Sequence, residues 1–133
     1  MSKRVMIYVE RYQSLRIEVK RSPETNDFDE VLFLADGVDL IERYWSDMIG
    51  LDPHSILVEP CPLRAGPERH LATIARCFCG EISCVSVQVE IQRSEDCIVW
   101  YSAEYTDTGH PTRLEFDPRS YDAEVERALS ERS

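Results

Sequence analysis

The chain has 133 residues, of which 43% are apolar and 30% charged, the size and make-up of one folded domain rather than of a disordered or fibrous chain. It carries 25 Asp and Glu against 15 Lys and Arg, a formal net charge of −10. Such a surface repels phosphate backbones and anionic membranes, so neither nucleic acid nor a membrane is an expected partner, whereas a more basic protein is.

Met1 to Arg4 has the charge of a signal-peptide start, but only the five residues Val5 to Val9 follow before Glu10 and Arg11. That is shorter than a secretory apolar core, and no run approaches a membrane span, so a cytoplasmic location and a single domain over 1–133 are expected. Val5, Ile7 and Val9 alternate, as do Leu15, Ile17 and Val19, and the four residues Arg11 to Ser14 between them suggest a hairpin. Residues 21–30 read as a polar loop, and Val31 to Leu34 as a third strand. Asp39 caps an expected helix over 39–49 with Leu40, Ile41, Tyr44, Trp45 and Met48 on its apolar positions, ended by Gly50 and Asp52-Pro53.

Residues 51–67 hold four prolines, Pro53, Pro60, Pro62 and Pro67, and show no periodicity beyond a short strand at 56–58. Irregular segments of that length in compact domains are frequently binding or lid elements, so a small enzyme with its pocket under this segment is one functional alternative. The strongest pattern follows: Leu71 to Phe78 is strand-like, Val85, Val87, Val89 and Ile91 alternate strictly, and 98–105 is β-branched and aromatic. These three runs form an antiparallel meander with one buried face. Arg113 to Phe116 adds an edge strand. Asp117-Pro118 then starts a helix whose stripe is Tyr121, Val125, Ala128 and Leu129. The expected fold is α+β, an antiparallel sheet built from a hairpin and a three-stranded meander with the two helices packed on one face.

Two constellations suggest chemistry. Cys77, Cys79 and Cys84 spell C-x-C-G-x4-C around the tip of the expected hairpin, with Cys61, His70 or Cys97 as a fourth ligand. Cys97 begins the neighbouring strand, so Cys77, Cys79, Cys84 and Cys97 are the candidate zinc or thiol set. The spacing lacks the two C-x2-C halves of a knuckle, and small apolar filling under a sheet is the competing role, with no cofactor at all. The aromatic pairs are the second constellation: Trp45 on the first helix and Trp100, Tyr101 and Tyr105 on a central strand are candidates to meet a partner, with burial on both sides under helices as the competing role. His54, His70 and His110 sit beside prolines or strand starts, and no phosphate loop, nucleophile elbow or metalloprotease motif occurs. The reading is therefore a non-enzymatic domain.

The run Cys77-Phe78-Cys79-Gly80, then Cys84, an alternating Val strand and Ile98-Val99-Trp100 resembles a group of small uncharacterised bacterial proteins of actinobacterial type, some of them immunity-like. The likeness covers residues 70–105, with the capped helix from Asp117 in support. It implies a non-enzymatic protein-interaction domain and brings no catalytic residue with it.

Overall fold

The structure is a computed structural model and describes residues 8–21, 29–77, 86–102 and 112–132. The meander forms as expected. Strand β6 (His70–Cys77) pairs antiparallel with β7 (Ser86–Arg93), β7 with β8 (Ile98–Ser102), and β8 with β9 (Thr112–Phe116). The period-two apolar sets put Val87, Val89 and Ile91 on the buried face, in register with Trp100 and Leu114. A bulge between Thr73 and Ala75 buries Ile74 and Ala75 together on β6.

Both flanks of this meander differ from expectation. The first two strands, β1 (Tyr8–Tyr12) and β2 (Leu15–Arg21), are not a hairpin. β1 runs parallel to β9, with Tyr8 opposite Thr112 and Tyr12 opposite Phe116, so β9 is an interior strand and not an edge. β2 turns away after Gln13-Ser14 and pairs with β3 (Asp29–Ala35), which pairs with the short β4 (Val38–Asp39). Asp36, in the left-handed region at φ 49, holds that corner by accepting from the N–H groups of Gln13 (3.1 Å) and Ser14 (2.8 Å).

The expected helix over 39–49 is one turn long. α1 (Leu40–Tyr44) is capped by Asp39 as predicted, which accepts from the N–H groups of Ile41 and Glu42, but the chain leaves helical geometry at Trp45. Residues Met48–Gly50 then form β5, the far edge of the large sheet against β6. Average helix formers at 44–49 lose here to a ladder that offers Met48 and Ile49 strand partners. Among the described residues the large sheet thus has six strands in the order β1-β9-β8-β7-β6-β5, and the small sheet is β2-β3-β4. The fold is mixed α and β. In place of two helices on one face, the described residues contain α1, a second short helix α2 (Pro53–Ile56) and the long α3 (Pro118–Arg132). No helix among the described residues is long and apolar enough to cross a membrane.

The core lies between the large sheet on one side and the small sheet, α3 and residues 51–67 on the other. Trp100 is its hub, with its ring edge-on to Phe33 of the small sheet (5.2 Å) and to Phe116 (5.1 Å) and Tyr121 (6.3 Å). Its Nε1–H donates to Tyr121 Oη (3.1 Å), which donates onward to the carbonyl of Leu63 (2.5 Å). Residues 51–67 are packed against the sheet. Ile56, Leu57, Cys61 and Leu63 are buried, and the segment is tied to the sheet by Arg93 N–H to Gly66 O (2.7 Å), Arg93 Nε to Ala65 O (3.1 Å) and the His70 ring at Pro62 O (2.7 Å). The expected strand at 56–58 is absent because Asp52-Pro53 starts α2, with Asp52 accepting from His54 N–H (2.8 Å).

Helix α3 also closes the edge of β2. Ser120 Oγ accepts from Leu15 N–H (3.1 Å), Glu124 Oε2 from Ile17 N–H (2.7 Å), and Arg127 donates to Ile17 O (2.8 Å). Positions 120, 124 and 127 share one helix face, so three side chains stand in for a neighbouring strand.

The two sheets meet where Val31 N–H donates to Leu51 O (2.9 Å), and Gly50 permits it: a Cβ there would lie 2.2 Å from Val31 O. Gly50→Ala must therefore push backbone against backbone. We expect destabilisation at or above the upper end of the roughly 1–3 kcal/mol typical of overpacking, read by denaturant or thermal unfolding. Unchanged stability would mean the two sheets do not approach this closely.

Candidate binding cleft

Antiparallel strands alternate ends, and that decides which side chains can meet. Ile98 lies opposite Phe116 and Tyr12 lies opposite Phe116, so the β7–β8 turn and the carboxyl ends of β1 and β9 share one end of the large sheet. The start of α3 is there too, because Asp117 N–H donates to Tyr12 O (3.2 Å). Between them is a cleft of about 480 Å³ lined by Arg11, Tyr12, Gln13, Asp96, Cys97, Phe116 and Asp117. Tyr12 and Phe116 stack at 6.0 Å and 27° in the core behind the cleft. The Tyr12 hydroxyl shares a 2.9 Å hydrogen bond with that of Tyr44, and burial, reinforced by this bond, pushes its pKa well above the usual phenol range.

The charges around the cleft are unequal in freedom. Arg11 is committed to Glu115, with Nε at 3.0 Å and Nη2 at 2.8 Å from Oε1, while Arg113 Nε holds Oε2 at 2.7 Å. Asp117 caps α3 by accepting from Ser120 N–H (2.9 Å), and Asp96 and its neighbour Glu95 are exposed on the turn. Asp36 adds a further carboxylate through its bonds to Gln13 and Ser14. Burial pushes the Asp36 carboxyl up, but those bonds outweigh it and hold it below the usual range. A cleft with exposed carboxylates on its rim can give a cationic side chain charge-assisted hydrogen bonds.

The same alternation of ends separates the expected cysteine set. Cys77 sits opposite Met48 at the far end of β6, whereas Cys97 is in the cleft, and β7 between those ends spans about 23 Å at ~3.3 Å per residue. Cys97 is therefore not a fourth ligand for Cys77. Cys79 and Cys84 lie outside the described residues. Cys61 is buried with its Sγ 3.3 Å from Ile56 O, and burial pushes its thiol pKa up. Among the described residues no group of three or more His, Cys, Asp or Glu is arranged to hold a metal ion.

The aromatic candidates divide. Trp45 and Trp100, candidates to meet a partner, are core residues at 3% and 1% exposure, Trp45 just after α1 and Trp100 on the inner face of β8. Tyr101 points the other way, half-buried on the open face of the large sheet, and Tyr105 lies outside the described residues, as does His110. The cleft residues Arg11, Tyr12, Asp96, Phe116 and Asp117 were not singled out as a group by sequence. The turn at 93–96 and the cap at Asp117 were legible; their meeting depends on the parallel β1–β9 pair. Comparison with protein-family models, curated proteins and solved structures finds no match to this chain.

Glu115, beneath the two arginines, gives a pH signature. Burial pushes its carboxyl up, but the hydrogen bonds from Arg11 and Arg113 outweigh this and hold it below the ordinary 4.5. A depressed folded-state value stabilises the fold fully above the unfolded value and ceases to do so as pH falls through the folded one. Glu115→Gln should thus be less stable than wild type at neutral pH, and the gap should close as pH drops below about 4.5. A gap that stays constant with pH would exclude the ion pairs as its source.

Proposed function

We propose that this is a non-enzymatic protein-interaction domain whose cleft at the β1–β9 end receives a lysine or arginine side chain of a basic protein partner. The observation that carries the reading is the combination, in a chain of net charge −10, of exposed carboxylates at Asp96 and Asp117 on the rim of one cleft. The excess of negative charge over the whole surface steers a cationic partner toward contact, and the cleft supplies a place to hold one of its side chains. An immunity-type role, in which an acidic protein covers a basic toxin in the cytoplasm, is one instance of this behaviour.

The test is a titration with a panel of lysine- and arginine-containing peptides followed by backbone amide shifts. Shifts are expected at Gln13, Asp96, Cys97 and Asp117, weakening with salt. Asp96→Lys should lower the affinity at least about tenfold, the equivalent of ~1.4 kcal/mol. Asp47→Lys makes the same charge change in an exposed turn at the opposite end of the sheet and should leave affinity within about twofold, ~0.4 kcal/mol. Equal losses in the two variants would reduce the effect to net charge, and shifts away from the cleft would overturn the assignment.

A further inference from the structure

The open face of the large sheet carries a row of five side chains in direct register across five strands. Val9 lies opposite Arg113, Arg113 opposite Tyr101, Tyr101 opposite Glu90, and Glu90 opposite Leu71. Both ends of the row are exposed apolar groups, Val9 at 52% and Leu71 at 58%. The centre is an aromatic ring with guanidinium groups over it, Arg69 at 4.1 Å and Arg113 at 5.3 Å from its centroid. At the spacing of neighbouring strands the row is about 19 Å long.

Read outward from Tyr101, the row is apolar–cation–ring–anion–apolar, and it is therefore complementary to itself reversed. We infer that this face is the interface of a two-fold homodimer, with the symmetry axis lying in the interface parallel to the strands beneath Tyr101. That axis sets Arg113 against Glu90 of the second copy, Glu90 against its Arg113, Val9 against its Leu71, and Tyr101, with the guanidinium groups over its ring, opposite its counterpart. Each contact is made twice, as an isologous interface requires. Tyr and Arg at the centre are the residue types that dominate interface energetics. Arg113 has N–H donors beyond the Nε–H that Glu115 takes, and Glu90, paired with Arg69 at 3.3 Å, is about half exposed, so both can accept a second partner. In the next row the axis sets Arg11 opposite Arg69 of the other copy, and each already has a carboxylate, Glu115 or Glu90. This charge alternation is what allows two copies of a −10 chain to approach on this face. The inference is independent of the proposed role of the cleft.

A charge swap tests it, by sedimentation velocity from low to high micromolar protein. Wild type should pass reversibly from monomer to dimer as concentration rises. Arg113→Glu alone opposes Glu to Glu twice, and Glu90→Arg alone opposes Arg to Arg twice, so each should stay monomeric. An equimolar mixture of the two variants restores both ion pairs and should form a heterodimer. Because Arg113 also holds Glu115, circular dichroism must show that the variants are folded. If Arg113→Glu is not, the pair Leu71→Glu and Val9→Lys, at exposed positions, decides by the same logic: each alone weakens the dimer, and the mixture recovers it. A wild type that remains monomeric throughout, or folded complementary variants that fail to pair on mixing, would overturn the inference.

Discussion

The parallel pairing of β1 with β9 is the constraint on which the functional parts of this molecule depend. Without it, Tyr12 would not stack on Phe116, Arg11 would not reach Glu115, and the cleft between the first strand, the β7–β8 turn and the start of α3 would have no third wall. The same pairing supplies Val9 as one end of the row on the open face. A parallel neighbour so distant in sequence costs loop-closure entropy before any contact rewards it. Here the reward is concentrated: a ladder five residues long, a buried carboxylate held by two arginines, and the shared bond between the Tyr12 and Tyr44 hydroxyls.

A second constraint joins the layers. The buried Trp100 and Tyr121 each carry a polar atom that must find a partner in a dry interior. The relay from Trp100 Nε1 through Tyr121 Oη to Leu63 O satisfies them and so couples the sheet, α3 and the proline-rich segment in one chain of bonds. That explains why a segment with the composition of a loop behaves as a core element. Its apolar residues, Ile56, Leu57 and Leu63, are buried, and its backbone carbonyls become acceptors for Tyr121, His70 and Arg93. Beside it, α3 spends one stripe on the core, through Tyr121, Val125 and Ala128, and another on the edge of β2 through Ser120, Glu124 and Arg127.

What was legible in the sequence is what local patterning encodes. Strict alternation from Val85 to Gln92 placed the meander, and Asp117-Pro118 placed the start of α3 to the residue. What was not legible rests on non-local competition. Two alternating runs with a polar link between them look like a hairpin whether or not they pair, and here Gln13-Ser14, held by Asp36, sends them into different sheets. Leu40, Ile41, Tyr44 and Trp45 satisfy a helical stripe, yet the chain beyond them is taken by the β5–β6 ladder. Within the expected zinc set, Cys77 and Cys97 are kept apart by simple geometry: Cys77 ends β6 and Cys97 precedes β8, at opposite ends of β7. Trp45 and Trp100 could have faced either way, and packing against Tyr44 and Phe33 decided it.

The cleft carries the exposed carboxylates of Asp96 and Asp117 at one end of the sheet, while the open face alternates charge around Tyr101, so the two surfaces differ in chemistry. Both presuppose the placement of the first strand. Long-range nuclear Overhauser contacts in isotope-labelled protein measure that placement most directly. Residues 8–12 should show contacts to 112–116 that ascend together in number, Val9 with Arg113 and Arg11 with Glu115. Contacts that instead descend from 8–12 against 15–19, the signature of a local hairpin, would contradict the account.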